Sequence, residues 1–522
     1  MVELLKKNIH MMHEKNRAVS QVMLDEDSNV PDSQPDVERI IQHNGVVKVE
    51  EVQVATDKVL ITGQLTVAVL YIADTPEHPI HRLDIRVPFQ ESQSLQGAAP
   101  GENVQLRWET EDVSVSMINS RKLNLKAVLM FTSFMEEIYD AQAAVELHGM
   151  PEVSVQTRTL ELLQAAVQKR DVLRIRDEIT VPSNKPNIAR ILWESIQLRG
   201  TDIRVLDQEL DVKGELFVFA LYEGDDEAAT KQWLETALPF HGTVPCAGCT
   251  ADMISQIGVS LGESSLEVRE DYDGERRLVS LEAVLDLDIR LYTEEQVEVL
   301  EDVYSPVKEL IPIREEQVYE SLLMKNFSKV RAGERIRLKG SQPRMLQTCS
   351  GRGEVKIDEA VITDQGISVE GAVLVSVLYV SSDDKTPYAV LEGAVPIAQV
   401  IEMNGMNRDC RFTLQTSLEQ LSVTMIDSEE VEVKVSVNLN AFAVQVHREP
   451  CIIEIEEREL DLKKLQELPG IVGYVVQPRD SLWSISKQYY TTPERICSLN
   501  HLDENDVRPG TKLIILKTVN GN

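Results

Sequence analysis

Gly63-Gln-Leu-Thr-Val-Ala-Val-Leu-Tyr71, Gly214-Glu-Leu-Phe-Val-Phe-Ala-Leu-Tyr222 and Gly371-Ala-Val-Leu-Val-Ser-Val-Leu-Tyr379 are three writings of one stretch. Each is an apolar, β-prone run that opens on Gly and closes on Tyr, which suits a strand buried on both faces better than a helix. The flanks keep register. A Pro lies 28 residues before each Gly (Pro35, Pro186, Pro343) and another 17 residues after each Tyr (Pro88, Pro239, Pro396). In the first and third copies the register runs on to Met117-Ile118-Asn119-Ser120 and Met425-Ile426-Asp427-Ser428. The periods, 151 residues from Gly63 to Gly214 and 157 from Gly214 to Gly371, are a domain's length and not a solenoid's. The chain is therefore expected to hold three copies of one domain, as beads in tandem.

Around the Gly-to-Tyr runs, apolar and polar residues alternate, as in Val46-Val-Lys-Val-Glu-Glu-Val-Gln-Val54, Glu354 to Ile362, Leu123 to Leu129 and Val431 to Leu439. A period near 2 marks half-exposed antiparallel strands, and many of them between turn residues predict a β-sandwich-like bead. Three segments read differently. Leu4, Leu5, Ile9 and Met12 stand at helical spacing, which predicts an N-terminal helical extension over 1–25. Good helix formers from Thr159 to Lys169 predict a helical linker over 148–171, and a similar linker is expected over 306–328. The β repeats then occupy 26–147, 172–305 and 329–458. An acidic linker, 459–472, follows, with a Pro469-Gly470 break.

Composition bounds the function. The chain has 522 residues, 43% of them apolar, and a formal charge of −33. So acidic a protein is a poor ligand for nucleic acid or for an anionic membrane, both of which need clustered Lys and Arg. A basic protein partner or plain solubility suits it better. No apolar run approaches the roughly 20 residues of a membrane helix. The start lacks the apolar core and cleavage site of a secretion signal, so none is expected. Six scattered cysteines (Cys246, Cys249, Cys349, Cys410, Cys451, Cys497) do not form a disulfide framework, which points to a reducing cytosol.

Chemistry is sparse. The phosphate-loop, His-Glu-x-x-His and Gly-x-Ser-x-Gly patterns are missing from the sequence. Cys246-Ala-Gly-Cys249 with His241 lacks a second pair to complete a zinc site and reads as a surface loop. Asp225-Asp226 and Asp383-Asp384 read as solvated turn residues, and Tyr71, Tyr222 and Tyr379 as core rings with satisfied hydroxyls. No enzyme, cofactor or metal is expected.

From Gly473 the character changes. Residues 473–517 carry six basic and five acidic side chains, a net of about +1 against about −34 for the rest. Tyr474-Val-Val-Gln predicts a strand, and Asp480 or Ser481 can cap a helix through Leu482, Ile485 and Tyr489. Thr492 with Pro493 opens a second helix ended by Asn500, and Leu513 to Leu516 returns after the Pro509-Gly510 turn. This βααβ pattern over 473–518 resembles a LysM domain, in Tyr474-Val-Val-Gln-Pro-Arg-Asp-Ser-Leu-Trp-Ser-Ile, Leu499-Asn-His-Leu and Arg508-Pro-Gly-Thr-Lys-Leu. The resemblance implies an N-acetylglucosamine groove between Asp480, Ser481, Leu482 and Trp483 on one side and Asn500, His501 and Leu502 on the other. Arg479 and Tyr490 stand at or near places where that family carries Gly, and His501 where Pro or Gly is common. The groove is thus open to two occupants, a glycan or a protein.

Three acidic β repeats and one LysM module resemble the SipL-type spore-coat morphogenetic proteins of endospore-forming Firmicutes, whose repeats are SPOCS domains. The resemblance implies a scaffold in the mother-cell cytoplasm that gathers on the forespore surface and helps build the spore coat. It further implies that the LysM domain binds SpoIVA, the ATPase that polymerises into the coat's base layer. Self-association or capture of other coat proteins through the β repeats is expected. The alternative is a protein that attaches to peptidoglycan of the cortex or wall through LysM.

Overall fold

The structure, a computed structural model, describes residues 3–75, 79–102, 104–149, 152–460, 469–503 and 507–516. The first repeat runs β1 (Glu3–Asn29), β2 (Val37–Ala55), β3 (Lys58–Ala73), β4 (Ile80–Ser94), β5 (Val104–Asn119) and β6 (Lys122–His148). The second runs β7 (Ser154–Thr180), β8 (Ile188–Leu206), β9 (Glu209–Gly224), β10 (Lys231–Pro245), β11 (Ile254–Arg269) and β12 (Leu278–Tyr304). The third runs β13 (Glu309–Arg337), β14 (Met345–Thr363), β15 (Gly366–Ser381), β16 (Tyr388–Glu402), β17 (Cys410–Met425) and β18 (Glu430–Arg458). In every repeat the second, third and fourth strands form one antiparallel sheet, and the first, sixth and fifth form another. The two sheets pack face to face, with β1 over β4 and β5 over β2, around a core that draws Ile61, Leu65 and Val67 from one sheet and Leu123, Leu125 and Leu129 from the other. Each repeat is thus a β-sandwich, as the alternation predicts.

The anchors that define the repeat each have a physical cause. The Gly-to-Tyr run is the central strand of its sheet, β3, β9 or β15. Its Gly lies opposite a bulge in the neighbouring strand, at Val49/Glu51, Arg199/Asp202 and Ile357/Glu359. There the bulged backbone comes so close that a Cβ on Gly63 would lie 2.4 Å from the Lys48 carbonyl oxygen, and one on Gly371 2.2 Å from that of Lys356. Only glycine fits. The closing Tyr is fully buried, and its hydroxyl donates to the carbonyl of the upstream Pro: Tyr71 to Pro35 at 3.2 Å, Tyr222 to Pro186 at 3.3 Å, Tyr379 to Pro343 at 3.0 Å. The downstream prolines, Pro88, Pro239 and Pro396, sit in the edge strands β4, β10 and β16, where a missing N–H leaves no ladder bond unmade.

The segments expected as helices are strands. β1 covers the N-terminal extension, β7 most of the first linker and β13 most of the second. Along the middle of β7 the reason is cover on both faces. On β7, Leu160 and Leu162 turn toward one apolar cluster while Leu163 and Ala165 pack against Tyr292, Phe442 and Val444 in another. Apolar residues on successive positions imitate a helical face, and tertiary packing overrides helix propensity. The acidic linker's residues 461–468 lie outside the described residues.

The repeats are not separate beads. β6 runs on past the end of β5, so its second half pairs with β1 alone as a two-stranded arm, and β12 with β7 and β18 with β13 do likewise. The three arms pack on one another. Met11, Leu162 and Tyr319, each 18 residues before the end of its strand, share one cluster with Ala143, Val299 and Cys451, each 21 residues after the start of its own. The short sheets meet as well: Leu70, Leu221 and Leu378, each seven residues after the repeat Gly, share a second cluster with Trp193, Phe219 and Tyr388. Equivalent residues meeting one another place the three sandwiches around a pseudo-threefold axis. Ion pairs cross all this apolar surface, Arg290 to Glu136 at 2.7 Å between the first two repeats and Arg158 to Glu449 at 2.6 Å between the last two.

At the C-terminus β19 (Ile471–Val475), α1 (Leu482–Gln488), α2 (Pro493–Asn500) and β20 (Lys512–Leu516) form the βααβ module, with Val476, Ile485, Ile496, Leu513 and Ile515 as its core.

Candidate functional site

The expected groove residues lie on the module's two loop edges, and most of their polar atoms hold the module itself. Asp480 accepts hydrogen bonds from the Tyr474 hydroxyl at 2.6 Å and the Gln477 amide at 2.7 Å, and these hold its carboxyl below the usual carboxylate range. Ser481 is the N-cap of α1. Its hydroxyl accepts from the Ser484 amide at 3.0 Å, and Ser484 returns the bond at 2.9 Å, a capping box. Asn500 donates to the carbonyls of Ile496 and Ile514, each at 2.8 Å, and accepts from the Ile514 amide at 2.7 Å, latching α2 to β20. Leu482 and Leu502 both pack, partly buried, on the module core. His501 is the exposed C-cap of α2.

Two departures from the LysM pattern coincide with special backbone. Tyr490 and His501 hold φ of 51° and 50°, the left-handed region in which glycine is favoured. Chain direction there is kept at a conformational cost that a Gly would remove.

Trp483 does not stand free beside the groove. Its Nε1 donates to Asp302 Oδ2 at 2.9 Å, and its ring meets the Tyr304 ring edge to face, centroids 4.7 Å apart. Lys487 Nζ donates to both Asp302 oxygens at 2.8 and 2.6 Å. Tyr304, buried, donates to the Thr491 carbonyl at 2.9 Å. The module is therefore seated on the tip of the second repeat's arm. A cleft of about 710 Å³ opens where Trp483, Pro493 and Arg495 face Glu152 and the start of β7. Sequence reasoning missed Asp302, Tyr304 and Lys487, because the repeat register hides them. The residues at the same strand positions are Glu146 and His148 in the first repeat and Glu454 and Glu456 in the third.

The remaining candidates are structural. Cys246 and Cys249 lie in the turn after β10 with Ala247 and Gly248 exposed, but their own side chains are fully buried beneath it; they fill the positions that Leu95 and Ala98 fill in the first repeat. Burial pushes the Cys246 thiol up to about 11, which makes a poor nucleophile. His241 pairs with Asp211 rather than with the thiols. Asp226 and Asp383 close their own turns through Thr230 and Thr386. Among the described residues no group of three or more His, Cys, Asp or Glu could hold a metal ion, and no helix is long and apolar enough to cross a membrane.

Three copies of one β-sandwich around a shared axis, followed by a small βααβ module, define a modular repeat protein. The family described as SipL, SPOCS domain, matches residues 36–118, 187–269 and 344–426, and the LysM domain matches residues 474–516. Its three SPOCS domains and C-terminal LysM domain give the chain a SipL-type architecture. Each SPOCS match spans the second to fifth strands of its repeat, and the two long strands complete the sandwich outside it. The two domain types support a sporulation coat-associated protein with a LysM module of the peptidoglycan-binding kind. No curated protein and no solved structure matches the chain.

Proposed function

We propose that this chain is a non-enzymatic scaffold of spore-coat assembly, recruited from the mother-cell cytoplasm to the forespore surface, and that its LysM module docks onto the coat ATPase SpoIVA. The partner comes from the SipL resemblance. The observation that favours a protein partner over a glycan is the state of the groove: both nitrogen-borne and oxygen-borne bonds of Asn500, and one carboxylate oxygen of Asp480, are taken by the module's own atoms. A glycan is held by free, convergent polar groups, whereas a protein surface can be met by shape and apolar contact. Asp480, Ser481, Leu482, Trp483, Asn500, His501 and Leu502 then act as the rim of a protein interface. The three sandwiches serve as the body on which other coat proteins, or further copies, assemble.

The LysM family match keeps a second function in view, attachment to cortex or wall peptidoglycan. One experiment separates the two. Full-length protein is mixed with insoluble peptidoglycan in one tube and with purified SpoIVA in another, and a chain ending at residue 470 is run beside it. Binding to SpoIVA that is lost on truncation supports the scaffold; binding to peptidoglycan alone replaces it with wall attachment.

A further inference from the structure

We infer that the LysM module is latched on the second repeat through Asp302, so that the part of the Trp483 ring held by Asp302 and Tyr304 becomes available to a partner only when the latch opens. The inference rests on the proposal above for what the module binds, but the latch itself is a property of this chain alone. Asp302 is the centre of the contact. It accepts from the Trp483 indole and twice from Lys487, while Arg314 of β13 lies 3.3 Å from its other side and donates to the Glu301 carbonyl at 3.0 Å. Charge-assisted bonds of this kind are the stronger ones, and the Tyr304–Trp483 ring contact adds a directional apolar one.

The contact is also selective. The pseudo-threefold arrangement offers three similar arm tips, all with an acid at the position of Asp302, but only the second carries a tyrosine two residues on; His148 and Glu456 stand there in the others. Acid and ring together are what α1 meets with Lys487 and Trp483. A module that hung loosely from its linker would need neither. The patch is small, a handful of polar bonds and one ring pair, which is the scale of contacts that open and close within a chain. A closed form in excess lowers apparent affinity for any ligand of the hidden face by the fraction that is open.

The test uses the full chain with Asp302→Ala and, from the opposite side, Lys487→Ala; neither residue belongs to the groove. Hydroxyl-radical footprinting read by mass spectrometry reports Trp483 directly, with buried Trp193 as the internal control. Both variants should raise Trp483 oxidation severalfold and leave Trp193 unchanged; an unchanged Trp483 footprint overturns the latch. Binding to SpoIVA and to insoluble peptidoglycan is measured in parallel. Whichever probe the unaltered chain binds should bind both variants about tenfold more tightly, and equal affinity beside an exposed Trp483 overturns the masking role. Should no form bind either probe, the proposed partners fall while the footprint still decides the latch.

Discussion

Tyr71, Tyr222 and Tyr379 tie two sequence anchors together with one hydroxyl. Each ring fills the sandwich core at the end of its central strand, and each O–H reaches back 36 residues to a proline carbonyl. Burial pushes the Tyr71 and Tyr379 phenols up to about 12, so they stay protonated donors at any physiological pH. Tyr379→Phe keeps the ring and removes the bond; the expected loss is about 1 kcal/mol, read as a lower urea midpoint with unchanged slope. Asp302 titrates the other way. Burial pushes its carboxyl up, but hydrogen bonds from Lys487 and Trp483 outweigh it, and the net direction is down. A carboxyl lowered by folding contributes its stabilisation above its ordinary range and loses it only as pH falls through the folded value. Lys487 and Arg314 are the cations that face it, and Glu494 lies near Tyr304. The Trp483 footprint should therefore be flat from about pH 8 to about pH 5 and rise only below about pH 4, so the latch is not a switch in the neutral range.

At the scale of the element, β1, β7 and β13 carry the clearest disagreement between pattern and structure. A strand with one wet face writes alternation into its sequence, and stretches of β2, β6, β14 and β18 are readable for that reason. A strand covered on both faces by different neighbours writes a run such as Leu160-Glu-Leu-Leu-Gln-Ala-Ala-Val167, whose period carries no face. Much of what covers β7, Met11 of the first arm and Tyr319, Phe442 and Val444 of the third, lies more than a hundred residues away in sequence, information that no local window holds. The module shows the converse. Its caps Ser481 and Thr492, its Pro493 and its last strand obey local rules and stand where those rules put them, while the first strand begins three residues earlier than Tyr474. Leu162→Glu tests the difference. On a spacer helix a glutamate would be harmless, but at a site only 2% exposed it buries an unpaired charge, and the expected loss is about 3 to 5 kcal/mol, measured as a fall in thermal midpoint.

The whole molecule depends on closure. Spacing in the sequence announces three copies but cannot say that they meet, because the residues that join them are ordinary apolar strand residues in each. In the closed form Leu192, Trp193, Phe219 and Leu221 of the second repeat are no more than 7% exposed, and they are covered by Leu70 and Ile80 of the first and Leu378 and Tyr388 of the third. Removing that cover uncovers four large side chains at roughly 1.5 to 3 kcal/mol each, on top of the arm face at Leu162, Val297 and Val299. A patch of that size on a free domain recruits other chains. Residues 153–305 expressed alone should thus keep a β-sheet circular-dichroism spectrum, bind an apolar dye and sediment as oligomers, whereas the full chain does not bind the dye. A dye-silent monomer of the excised repeat would mean that the sandwiches are self-sufficient and that the axis is a consequence of tethering. Oligomers mean that closure is part of the fold, and that the tip on which the LysM module is latched exists only when all three repeats are in place.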